Sequence, residues 1–188
     1  MGYGVNTSRY TDRRWPGVIT WKLASGATGH KELDNALGIW ATATGIRFSH
    51  IPSDNTAEAD FVVASPAEST CWWNKSDAPR VGKPMAGKVG QLSLKSNATL
   101  GVVLHEIGHL LGLSHEHDRP DYRETYYKGK QGAEAFGLQT ASNNETYLSK
   151  YGEHDAKSIM HYPESNYAAA TTPSPGDIAA VKTINGWS

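Results

Sequence analysis

The sequence predicts an α+β fold in one folding unit, with strands and helices mixed in its first half and a polar, irregular stretch beyond. Three observations carry this. A chain of 188 residues suffices for one proper core, or for two lobes pressed around a cleft. Short alternating runs of strand length are interleaved with apolar residues at helical spacing. A histidine-rich run, His105-Glu106-Ile107-Gly108-His109-Leu110-Leu111-Gly112-Leu113-Ser114-His115, reads as a helix stopped by glycine.

In chain order, Gly17 to Leu23 alternates enough to be a first strand, entered through Trp15-Pro16. From Lys31 to Thr44, Leu33, Ala36, Leu37, Ile39 and Trp40 recur at helical spacing, and Gly45 closes the run. Ile46 to Ile51 and Ala59 to Ala64 are strand candidates, and the turn-rich Ser65 to Gly87, containing Cys71-Trp72-Trp73, reads as a long surface loop. Gln91 to Leu94 is a short strand; Ser96-Asn97 then supplies caps for a helix from about Ala98 to Leu111. Lys128 to Asp155 is polar and Gly/Asn-rich, expected to be irregular with one short helix at most. Ser174-Pro175-Gly176-Asp177 combines an N-cap, a proline at the first helical position and an acid in the first turn, so a C-terminal helix is expected to about Ile184.

Composition narrows the partners. A formal net charge of -1 with 20% charged residues provides no field for nucleic acid or an anionic membrane. No apolar stretch approaches the roughly 20 residues of a membrane span. The start, Met1 to Asn6, lacks a signal peptide's basic and apolar regions, so any export signal is expected to have been removed or never present. With Cys71 as its single cysteine, the chain cannot form an internal disulfide framework.

The 105–115 run has the spacing of a catalytic zinc site. His105 and His109, four residues apart, project from one helix face and can share a cation. Glu106 is rotated about 100° away, beside the metal rather than on it. His115 reaches the same ion only if the chain reverses at Gly112, which lacks the β-carbon that disfavours positive φ. Three histidines leave zinc one position for water, whose proton Glu106 is placed to accept and later deliver to a leaving amine. The motif predicts a peptidase; the contrasting reading is a latent, zinc-stabilised protein that grips a polypeptide without cutting it.

The run resembles the extended motif of the metzincin zinc peptidases at every fixed position. The continuation Glu116-His117-Asp118-Arg119-Pro120-Asp121 and the turn Ser158-Ile159-Met160-His161-Tyr162 are similar to the astacin family within that group. Trp15-Pro16-Gly17-Val18-Ile19, Val89 to Leu94 and Asp177-Ile178 resemble the family more weakly. Matrixins would share Gly108 and Leu111-Gly112-Leu113, but their Asp/Gly/His-rich loop ahead of the helix is missing.

The resemblance implies a single catalytic domain over 1–188, with an upper lobe to about residue 112 and an irregular lower lobe ending in a helix. The upper lobe would hold a twisted, mostly parallel sheet with an antiparallel edge strand. It implies one catalytic zinc on His105, His109 and His115, with Tyr162 as a switchable fifth ligand that stabilises the reaction's developing charge. Met160 becomes the floor under the zinc, with Gly112 and Glu116 as structural support; the family's matching Glu meets the mature N-terminal amine through a buried network, a start that would fall near Asn6 here, so either Glu116 has another partner or this chain is trimmed. An extended peptide would pair with Gln91, Leu92, Ser93 and Leu94, taken as the edge strand. The expected partners are protein or peptide substrates of a secreted, monomeric enzyme.

Departures from the family pattern are specific. Cys71 resembles a half-cystine whose partner position holds Asn97, so it is expected to be unpaired, inert or structural rather than a latency ligand. His117 stands where the family usually has Gln, and Arg123 replaces an acid. His30, His50, His117, His154 and His161 read as surface or core histidines. Beyond the Met160 turn, Lys182 is the one cation before Ile184, which argues against the acidic preference common in the family.

Overall fold

A five-stranded sheet backs the helix that carries the histidine run. The computed structural model describes residues 2–5, 7, 11–65, 72–73, 81–121, 148–161 and 167–187. Its strands are β1 (Tyr3–Val5), β2 (Val18–Leu23), β3 (Arg47–His50), β4 (Phe61–Ala64), β5 (Trp72–Trp73), β6 (Gly90–Ser93) and β7 (Leu148–Lys150). The helices that organise it are α1 (Leu33–Thr44), α2 (Leu100–Leu110) and α3 (Pro175–Asn185).

The large sheet has the order β3-β2-β4-β6-β5. Its first four strands run parallel, and β5 is antiparallel to β6. Alternate residues of β2 and β4, Ile19, Trp21, Phe61 and Val63, are buried, as a half-covered strand requires. Phe61 meets Trp73 edge-on, with ring centroids 5.8 Å apart. Helix α1 buries Leu33, Ala36, Leu37 and Trp40, and Trp40 Nε1 donates to Leu104 O at 3.1 Å, tying α1 to α2. Gly45 ends α1 at φ 82°.

Three expectations need correction. The Gln91–Leu94 strand is not the edge: β4 and β5 flank β6, Leu92 and Ser93 are paired with Trp73 and Trp72, and Leu92, Ser93 and Leu94 are buried. The supposed surface loop from Ser65 to Gly87 contributes β5, the sheet's edge among the described residues, and buries Trp73 and Val81. Helix α2 is capped by Thr99, whose Oγ1 accepts from Val102 N at 3.4 Å, rather than by Ser96 or Asn97. The first residues pair with a strand from the second half of the chain. β1 pairs antiparallel with β7, and Val5 N donates to Gly112 O at 2.9 Å. The β7 strand also gives regular structure to the end of the stretch expected to be irregular; 122–147 lies outside the described residues.

The C-terminal helix follows the sequence closely. Ser174 and Asp177 form a reciprocal capping box with Pro175 at N1, and Gly186 closes α3 at φ 70°. Val181 and Ile184 on α3 are buried, and Asn185 Nδ2 donates to Leu111 O at 3.0 Å. This clamps the end of α2 from below.

Candidate metal centre and active site

Helix α2 is central, with His105, Glu106, Ile107 and Gly108 all buried. It ends in a Schellman turn: Leu113 N donates to Gly108 O at 2.9 Å and Gly112 N to His109 O at 3.1 Å, with Gly112 at φ 111°. The turn also aims the Leu113 carbonyl back at α2, where it accepts from His109 Nδ1 at 2.8 Å. Two residues later the chain presents His115, and Glu116 N donates to Met160 O at 3.0 Å. Met160 packs so closely beneath the helix that a β-carbon at Gly108 would lie 2.7 Å from its Sδ.

The three histidines of the motif converge. Their ligand atoms lie within 4.8 Å of one another, and His109 Nε2 is 3.1 Å from His115 Nε2. Two donors on a tetrahedral zinc at 2.0–2.1 Å are about 3.3 Å apart, so this spacing suits the ion. The outer nitrogens define which edge is available. His105 Nδ1 donates to Ile159 O at 2.7 Å and His109 Nδ1 to Leu113 O, which leaves each Nε2 lone pair turned toward the cluster. Burial and neighbouring imidazoles push His105 well below the usual histidine range; burial, with His115 close by, brings His109 to about 3. Both are therefore neutral donors at physiological pH, and a cation relieves the lone pairs they face across the gap.

Glu106 is 6% exposed, and burial pushes its carboxyl up to about 8. Glu116 is fully buried: its Oε1 accepts from Arg119 Nη1 at 3.2 Å and Asp155 N at 3.0 Å. Burial lifts Glu116 to about 7 against the pull of these donors. Arg119 also donates to Gly2 O at 3.3 Å and to Gly152 O at 2.6 Å, so Glu116 and Arg119 knit the N-terminal strand to the chain after the site. His117 and His161 are buried. Tyr162 and Cys71 lie outside the described residues.

Sequence reasoning missed two contributors. Asp177 reaches from the α3 capping box to the Met160 turn, accepting from Ser158 Oγ at 2.6 Å and Ile159 N at 3.1 Å. The ring of Tyr167 lies against His105, with centroids 4.8 Å apart, on a turn whose Ala168 O accepts from Thr99 Oγ1. The acid in the first helical turn was a signal for Asp177; its reach across to Ser158 was not.

The sheet, the central helix and the three histidines beside a buried glutamate define a zinc metallopeptidase catalytic unit. The chain belongs to the astacin peptidase family, whose model matches residues 7–184. It is 31% identical over 176 residues to Tolloid-like protein 2 of Homo sapiens, covering 87% of this chain but 16% of that protein. It is 32% identical over 164 residues to Astacin-like metalloprotease toxin 1 of Loxosceles intermedia, covering 84% and 57%. The chain thus spans a minor part of the first of these relatives. Among solved structures, myroilysin superposes with TM-score 0.63 at 20% identity over 100% of both chains. High choriolytic enzyme 1 of Oryzias latipes gives 0.60 at 19% over 95% and 96%. These two likenesses concern the fold. The family match across 7–184 leaves the matrixin alternative without support.

Proposed function

We propose that the chain is a zinc-dependent endopeptidase that hydrolyses bonds in proteins or peptides with Glu106 as general base. The observation that supports it most is the convergence of the His105, His109 and His115 ligand atoms, with the buried Glu106 on the helix that carries the first two. When bound, zinc supplies Lewis acidity toward a peptide carbonyl and toward water, and its charge offsets the burial that raises Glu106. Glu106 accepts the water proton and returns it to the departing amine nitrogen, so no net proton is consumed in the cleavage step. Tyr162, two residues past Met160, donates from its phenol to the developing oxyanion. His105 and His109 are held in register by the Ile159 and Leu113 carbonyls.

An extended substrate pairs with the β5 edge of the sheet rather than with Gln91 to Leu94, through backbone hydrogen bonds. One catalytic domain over 1–188 and a secreted, monomeric state complete the reading. Among the described residues no helix is long and apolar enough to cross a membrane. The test is a pair of variants. Glu106→Ala is expected to keep zinc and lose at least about 10²-fold of activity, whereas His109→Ala loses the metal as well. Undiminished proteolysis by Glu106→Ala overturns the mechanism.

A further inference from the structure

The turn after the third histidine holds a second set of donors. His115, His117 and Asp118 each bring one ligand atom to within 4.8 Å of the others. The imidazoles of His115 and His117 are nearly parallel, 16° apart with centroids 4.9 Å from each other. Asp118 Oδ2 stands 3.5 Å from His115 Nδ1. That is longer than a charge-assisted hydrogen bond of about 2.7–2.9 Å. It equals the chord between two donors about 2.1 Å from a common ion at an angle of roughly 110°. His115 therefore offers an edge in each direction, Nε2 toward His109 and Nδ1 toward Asp118.

The donor set, two imidazoles and one carboxylate, suits zinc, copper or nickel and is poor for calcium or magnesium. The site is partly built and reachable. His117 is 2% exposed and fixed in the interior, while the side chains of His115 and Asp118 are 27% and 34% exposed, leaving solvent a path to the outer edge.

We propose that His117, Asp118 and the Nδ1 edge of His115 form a second, weaker divalent-metal site that zinc in excess of one equivalent occupies, inhibiting the peptidase. A second ion held there would share the His115 imidazole with the catalytic metal, and the Nδ1 proton would pass to solvent on binding. Repulsion between the two ions, offset by the single carboxylate of Asp118, makes this site weaker than the first. Inhibition would follow because the second ion competes for the His115 imidazole that helps hold the catalytic metal.

This inference rests on the catalytic ion at His105, His109 and His115, and the test separates the two. The metal-free chain is titrated with zinc against a chromophoric chelator, alongside His117→Gln, which installs the residue usual in the family, and Asp118→Asn. Two equivalents are expected for the native chain and one for each variant, with the first equivalent common to all three. In parallel, the zinc concentration that halves proteolysis should rise at least about tenfold in His117→Gln. Saturation of the native chain at one equivalent overturns the second site alone, as do two equivalents in both variants. A first equivalent weakened by Asp118→Asn with the native stoichiometry at one would make Asp118 a simple partner of His115, also against the proposal. Failure of the native chain to take even one equivalent overturns the catalytic reading and this one with it.

Discussion

Removing the Asp177 carboxyl should damage both stability and metal binding, through a path visible in the hydrogen bonds. Asp177 is 1% exposed and accepts from Ser158 Oγ, Ile159 N and Ser174 N at 2.6, 3.1 and 2.9 Å. Ser158 Oγ in turn accepts from Met160 N at 3.0 Å, and the Ile159 carbonyl accepts from His105 Nδ1. Asp177→Ala leaves three buried donors without their acceptor, at about 1–3 kcal/mol each, partly offset because a buried carboxylate no longer has to be desolvated. Burial already pushes the Asp177 pKa upward, which shows that this offset is present. The net expectation is a loss of about 3–5 kcal/mol. For a chain of this size that corresponds to a fall in Tm of roughly 6–20 °C.

The readout is thermal unfolding of metal-free and zinc-loaded protein, since ligand binding shifts the apparent Tm. Because the carbonyl that orients His105 moves with Ile159, zinc affinity measured by chelator competition should fall about 10–100-fold. Asp177→Asn keeps one oxygen acceptor but turns an amide toward a donor, so it should recover only part of both losses. A Tm for Asp177→Ala within about 2 °C of native, with zinc affinity unchanged, would refute the reasoning.

Further predictions concern other parts of the frame. Gly112→Ala meets a disfavoured φ of 111° and places its β-carbon 2.9 Å from Ile184 Cγ2; a loss of about 2–4 kcal/mol in urea unfolding is expected from strain plus crowding. Met160→Ala opens a cavity beneath α2 and should cost about 2–5 kcal/mol by the same measurement, without changing zinc stoichiometry. Asp121 is bidentate to Arg119 at 3.1 Å for both bonds and 3.3 Å from Lys150. The Arg119 hydrogen bonds bring its pKa down from 3.8 to about 2. A depressed folded pKa means that the native state binds fewer protons, so this stabilisation is present above pH 3.8 and is lost as pH falls through about 2. Urea unfolding at neutral pH and in that acid window should show Asp121→Asn less stable than native at the former, with the gap closing in the latter.

What the sequence disclosed was local. The i, i+4 pair His105 and His109 and the stop at Gly112 are short-range facts, as are the Ser174 to Asp177 capping box and the close at Gly45. What stayed hidden depends on distant partners. β5 is two residues long and becomes a strand only by pairing with β6, so the position of the sheet edge could not be read from Gln91 to Leu94 alone. β1 exists because Tyr3 to Val5 meets Leu148 to Lys150. The cap of α2 was misplaced because Ser96, Asn97 and Thr99 are all competent caps, and the choice of Thr99 is coupled to Ala168 across the fold. Asp118 comes beside His115 only through the turn that follows the third histidine.

The most direct test of the central claim is hydrolysis of denatured casein by the purified chain, before and after a chelator, with zinc then restored to one equivalent. The account predicts cleavage that stops on chelation and returns with the metal. Cleavage that persists without metal would contradict it, and a chain that binds zinc tightly yet leaves casein intact would point instead to a polypeptide-binding protein.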